Sequence, residues 1–176
     1  TATTAIYTLS LHDALPISYT GFLISALIRF PLINTAVLPA LFVASGFSAG
    51  CAATKVLAAW LFGADRHGSD LHVLHAAEWP IMAVEALCLL MIIIALVSGN
   101  AAAQAAFAAF TTGMWAQVFW VGAVGIGFLI PLALSFFGSK AFRTGATAFY
   151  TSGLAAICGM MCLRLFIIYA GQINSI

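Results

Sequence analysis

Charge is what this chain has least of. Only 6% of its 176 residues are Asp, Glu, Lys or Arg, where a soluble domain carries about a quarter, and 64% are hydrophobic. A formal net charge of +1 leaves neither a basic stripe for nucleic acid nor an acidic tail, so no nucleic-acid partner is expected. Cys51, Cys88, Cys158 and Cys162 all fall inside apolar runs and lack the CxxC spacing of a zinc or iron–sulfur site. They read as small buried hydrophobes, and no metal site is expected. The long apolar runs do not alternate with polar residues, which selects helices over a closed barrel, the two backbone arrangements a bilayer tolerates. The fold class is therefore an all-α membrane protein.

The least apolar stretch is also the least protein-like. Residues 1–18 hold no Lys or Arg and scatter their apolar residues, unlike a signal peptide. Read back into codons, "TATTAIYTLSLHDALPIS" resembles a widely used short-read sequencing adapter, departing from it only at Ala5 through one base change. The expectation is that residues 1–18 are a library artefact, that His12 and Asp13 carry no chemistry, and that residues 19–176 are the C-terminal part of a longer membrane protein.

Past this point, "YTGFLISALIRF" is too short to span and reads as the end of a truncated helix, closed by Arg29 and Pro31. Four full spans follow, at about 36–62, 71–97, 114–137 and 145–170. Pro39 is tolerable in a first turn, and Pro131, well inside the third span, predicts a kink. "SGNAAAQAAFAAFTTG" fits either a short interfacial helix or a loop. Trp115 and Trp120 mark a helix start at headgroup level. Gly46 and Gly50, and Gly122, Gly125 and Gly127, suggest close helix packing. Arg66, Lys140 and Arg143 lie in the loops after the first and third spans, against Arg29 on the other side. The positive-inside tendency makes those two loops cytoplasmic and leaves the C-terminus outside.

Four ionisable residues fall within spans: Lys55, Glu78, Glu85 and Arg164. Each costs at least ~2.5–3.5 kcal/mol at a helix centre, so pairing or function is the default expectation. Lys55 and Glu78 sit equally far from one surface, and an antiparallel hairpin would join them. Glu85 follows Glu78 by one heptad and shares its face with His75 and Met82, making a polar stripe into the membrane. By helical rise Arg164 lies about 7 Å deeper than Glu85, within reach of its long side chain. Structural ion pairs are the plain alternative to a proton path. His72 and His75 sit on one span with no histidine opposite them, so no haem is expected; HxxE from His75 to Glu78 is only half of a di-metal carboxylate site.

Three stretches in order carry a family resemblance: "YTGFLISALIRFPLINTAVLPALFVASGFSAG", "FWVGAVGIGFLIPLAL" and "LRLFIIYAGQ". Together they resemble the NrfD/PsrC family, the polysulfide-reductase-type integral membrane subunits of redox complexes. Where that family has Pro-Phe-Trp-Asn-Thr, this chain reads Pro31-Leu32-Ile33-Asn34-Thr35. The resemblance implies a quinone-reactive anchor in a bacterial-type inner membrane. It would use quinone or menaquinone as substrate and dock to an iron–sulfur subunit and a molybdopterin-type catalytic subunit. It also implies Tyr19 and Asn34 as quinone-site candidates, with Glu85 or Glu78 delivering protons. A secondary transporter or proton-translocating subunit without a redox role is the alternative, and a passive anchor the third reading.

Overall fold

The structure is a computed structural model and describes residues 19–27, 30–61, 69–136 and 145–172. The adapter-like residues 1–18 and the loop cations Arg29, Arg66, Lys140 and Arg143 lie outside the described residues, as do the side chains of His72 and His75. Among the described residues the architecture is helical, with four helices long and apolar enough to cross a membrane. The protein is a multi-pass membrane protein.

A short helix, α1, covers residues 19–25. The segment that follows is not a plain surface loop. Residues 30–37 fold into turns, with the Asn34 N–H donating to the Phe30 carbonyl at 2.9 Å and the Leu38 N–H to the Thr35 carbonyl at 3.2 Å. These bonds satisfy a backbone that also buries Leu32 and Ile33, so the segment plugs one end of the bundle. Helix α2, Leu38–Leu61, then begins with Pro39 in its first turn, where a missing N–H costs nothing. Helix α3 spans Ser69–Val97 and keeps Pro80 inside it.

The small-residue stretch is a helix, α4, over Ala101–Thr111. What decides this is its cap: the Asn100 side-chain oxygen accepts the Ala103 N–H at 2.9 Å, and Gln104 Nε2 donates back to the Val97 carbonyl at 3.3 Å. The turn out of α4 needs Gly113, whose φ of 82° lies in the left-handed region that a side chain disfavours. Helix α5 starts as Gly113–Gln117, continues as a π-helix over Val118–Leu129 and ends as the α-helix Ile130–Phe136. The kink expected at Pro131 thus takes the form of a change of helical register. The Ile130 N–H reaches back to the Gly125 carbonyl, and ordinary α-helix resumes at Ile130, one residue before the proline. Helix α6 runs over Ala146–Leu165 and closes as a π-turn over Phe166–Ala170.

The spanning helices pack in the sequence α3, α2, α6, α5, and α4 joins α3 to α5 at one end. Aromatic rings seal that end. Phe110, Phe119 and Phe166 meet with centroids 4.8 to 4.9 Å apart, Trp115 stacks on Tyr169 at 5.5 Å, and Trp120 Nε1 donates to the Phe110 carbonyl at 2.9 Å. Edge-to-face rings and a capped α4 terminus are what a membrane interface rewards.

In lipid, apolar burial does not drive helices together, so close approach must. Gly127 of α5 faces Gly159 of α6 so tightly that a Cβ on Gly159 would collide with the Gly127 Cα, and Gly122 abuts Cys162. Gly50 of the Gly46–Gly50 pair behaves differently from expectation: a Cβ on it would meet nothing within 4 Å, so Gly50 makes no close crossing among the described residues. Gly159→Val should therefore force α5 from α6 and cost about 1–3 kcal/mol or more, as overpacking does. Gly50→Ala should leave stability unchanged or slightly raised. Thermal unfolding of the two variants in mild detergent, followed by monodispersity on size exclusion, checks both.

Candidate functional site

The site is built on the seam between α2 and α3, which run antiparallel. Lys55 Nζ donates to Glu78 Oε2 at 2.5 Å, and the two side chains are only 6% and 13% exposed. One heptad further along each helix stand Ser48 of α2 and Glu85 of α3. One heptad beyond these are Leu41 and Ile92. Because both helices advance by the same repeat, each heptad makes a rung: an ion pair, then a serine and a carboxyl, then two aliphatic side chains.

Glu85 is completely buried, and neither carboxyl oxygen has a well-formed hydrogen bond among the described residues. Ser48 lies close on α2, and Arg164 acts on the carboxyl electrostatically from α6. A carboxyl in such a place is stable only when water or a proton compensates it. Arg164 does not close on it as a salt bridge. Its Nη2 donates to the Phe42 carbonyl at 3.4 Å, a carbonyl that also accepts Ser45 Oγ at 3.0 Å, and its Cζ lies 5.6 Å from the Phe42 ring centroid. The guanidinium thus spends its planar face and a donor on α2, although helical rise alone places it within reach of Glu85.

Tyr19 and Asn34 sit away from this seam, both exposed, and no hydrogen bond joins them among the described residues. Near them an apolar cleft of about 620 Å³ opens between α1, the start of α2 and the middle of α3, lined by Phe22, Ala36, Pro39, Ala40, Val43, Ala44, Phe47, Pro80, Ile81 and Val84. The cleft has the apolar lining that a hydrophobic tail needs, and that lining includes Val84, the residue next to Glu85 on α3.

Ser48, Ser45 and the Phe42 carbonyl are partners that the sequence reading passed over. A signal for Ser48 was present: Ser48 and Lys55 repeat on α2 the spacing of Glu78 and Glu85 on α3. The cleft had none, since its lining comes from three separate segments.

Comparison with known proteins shows the family of the chain. The family model described as Polysulphide reductase, NrfD matches residues 2–175. The protein belongs to the NrfD family. It is 40% identical over 159 residues to the protein NrfD homolog of Haemophilus influenzae, covering 89% of this sequence and 49% of that protein. It is 35% identical over 156 residues to the polysulfide reductase C subunit of Wolinella succinogenes, covering 88% and 49%, and 33% identical over 158 residues to the protein NrfD of Escherichia coli, covering 89% and 49%. This NrfD-family protein spans about half the length of the relatives it matches. No solved structure matches it.

The Lys55–Glu78 pair yields a test of what a buried ion pair is worth. Lys55→Met alone leaves a carboxylate without its cation and should destabilise by about 3–5 kcal/mol, whereas Lys55→Met with Glu78→Leu should be near neutral. Denaturant unfolding of the purified protein in mixed micelles measures both, and equal losses would deny the pair its electrostatic role.

Proposed function

We propose that this protein is the membrane-embedded part of a multi-subunit oxidoreductase of the molybdopterin and iron–sulfur type, exchanging electrons with a quinone or menaquinone pool and delivering the protons that exchange requires. Reduction of a quinone takes up two protons for every two electrons, and those protons must reach a site surrounded by lipid. The observation that carries the reading is Glu85: a fully buried carboxyl with Ser48 beside it and no well-formed hydrogen bond among the described residues, one heptad from an ion pair that leads toward the membrane surface. A general acid or base needs to be both placed and free to exchange its proton.

The names of the relatives support the same direction. A polysulfide reductase C subunit is one of several subunits by its name, which fits an iron–sulfur partner and a catalytic partner outside the membrane. The apolar cleft fits the prenyl tail of a quinone, with Tyr19 and Asn34 as candidate polar contacts for its headgroup; a phenol O–H can donate to a quinone carbonyl. The bacterial-type inner membrane is the corresponding location. The α2–α3 and α5–α6 loops would be cytoplasmic and the C-terminus outside.

The Lys55–Glu78 pair also suits a transporter or proton-translocating subunit without a redox role, because buried series of cations and carboxylates serve that chemistry too. Glu85→Gln separates the readings. In the assembled complex it should lower quinol-linked turnover by about two orders of magnitude, the range for removing a placed proton-transfer group, with subunit stoichiometry unchanged. Normal turnover would remove Glu85 from the redox mechanism. Proton flux through the protein in vesicles without any redox partner would favour the transporter.

A further inference from the structure

We infer that the α2–α3 seam is a proton well with a single mouth: it opens toward the α2–α3 loop, ends on Glu85, and is stoppered beyond it by Arg164 and an aliphatic collar. The inference rests on the reading of Glu85 as a proton-exchanging group and adds the direction from which it is served.

The seam changes character abruptly along its length. From the loop end inward come Lys55 with Glu78, then Ser48 with Glu85. Ala52, between the two rungs, is fully buried and contributes only a methyl group. Past Glu85 the same two faces carry Leu41 and Ile92, then Leu38 and Leu96, each at most 4% exposed. These aliphatic rungs offer no donor or acceptor, and a close-packed aliphatic contact holds no water.

The groups facing the inner end reinforce the seal. From α3 there are Glu85 and Cys88, from α2 Ser48 and Ser45, and from α6 Arg164. The only full cation among them lies on the Phe42 carbonyl, on the far side of Glu85 from Lys55. A fixed guanidinium beside a pore repels a proton that would continue past it, the device by which some channels exclude protons. Glu85 is therefore the end of the path and not a step across the membrane.

The test uses Ag⁺, an ion small enough to follow water, in the complete membrane protein with C51A, C88A, C158A and C162A removing the native thiols. Single cysteines replace Ser48, Ala52 and Leu41, with Leu61→Cys marking the α2–α3 loop face and Thr112→Cys the opposite face. Vesicles of each orientation are exposed to external Ag⁺, quenched, denatured and labelled with a maleimide. We expect S48C and A52C to lose maleimide labelling only in the orientation in which L61C loses it, and L41C to keep its labelling in both. Loss at S48C in the T112C orientation, no loss at S48C and A52C in either, or loss at L41C in either, would overturn the single-mouthed well. If the expected pattern holds while Glu85→Gln leaves quinol-linked turnover normal, the redox-coupled reading fails and the well stands.

Discussion

The register of α2 on α3 is the constraint from which the rest of the site descends. A hydrogen-bonded Lys55–Glu78 pair, nearly dry, sets which residues oppose one another along two long helices, because a slip of one residue would leave two charges unpaired in hydrocarbon. With that rung set, the heptad brings Ser48 opposite Glu85 and then Leu41 opposite Ile92. The ion pair thus serves as a ruler as much as a bond. Its net worth in stability matters less than the misalignments it makes expensive.

The second constraint lies on the other side of α2. Helix α6 meets α5 through Gly127 and Gly159, a contact with no room for a Cβ, and it meets α2 near Val56, where Gly153 faces the valine side chain. Those contacts bring the Arg164 guanidinium onto the Phe42 carbonyl and its ring. The backbone of α5 accommodates this by winding as a π-helix through its glycines and returning to α-helical geometry just before Pro131. The wide turn, the glycines and the proline act together: one loosens the helix, the others allow close approach and remove an N–H that the looser winding would leave unsatisfied.

Polar groups in this protein are sparse, and each is placed where its cost has a return. Asn100 caps α4, Trp120 caps the end of α4 from the neighbouring helix, and Arg164 serves a carbonyl of α2. Thr35 Oγ1 and both Glu85 carboxyl oxygens are exceptions, buried without a well-formed hydrogen bond among the described residues. A fully buried carboxyl with no well-formed hydrogen bond among the described residues is the kind of local inconsistency that function leaves behind.

The sequence by itself determined the membrane class, the number and limits of the spans, and the family. Twenty-odd apolar residues cannot do otherwise in water or lipid, and the three motif stretches are contiguous, so their signal survives without any knowledge of packing. Depth along each helix was legible for the same reason: rise per residue is constant, so Lys55 and Glu78 could be set at one level before their helices were known to touch. What only the tertiary structure decided is rotation and contact. Arg164 had two possible partners within its reach, and the crossing of α6 on α2 chose the Phe42 carbonyl over the Glu85 carboxyl. Gly50 and Gly127 carry the same kind of signal in sequence, yet Gly127 meets a facing glycine while a Cβ on Gly50 would meet nothing within 4 Å among the described residues, because a helix cannot record which of its sides a neighbour will take.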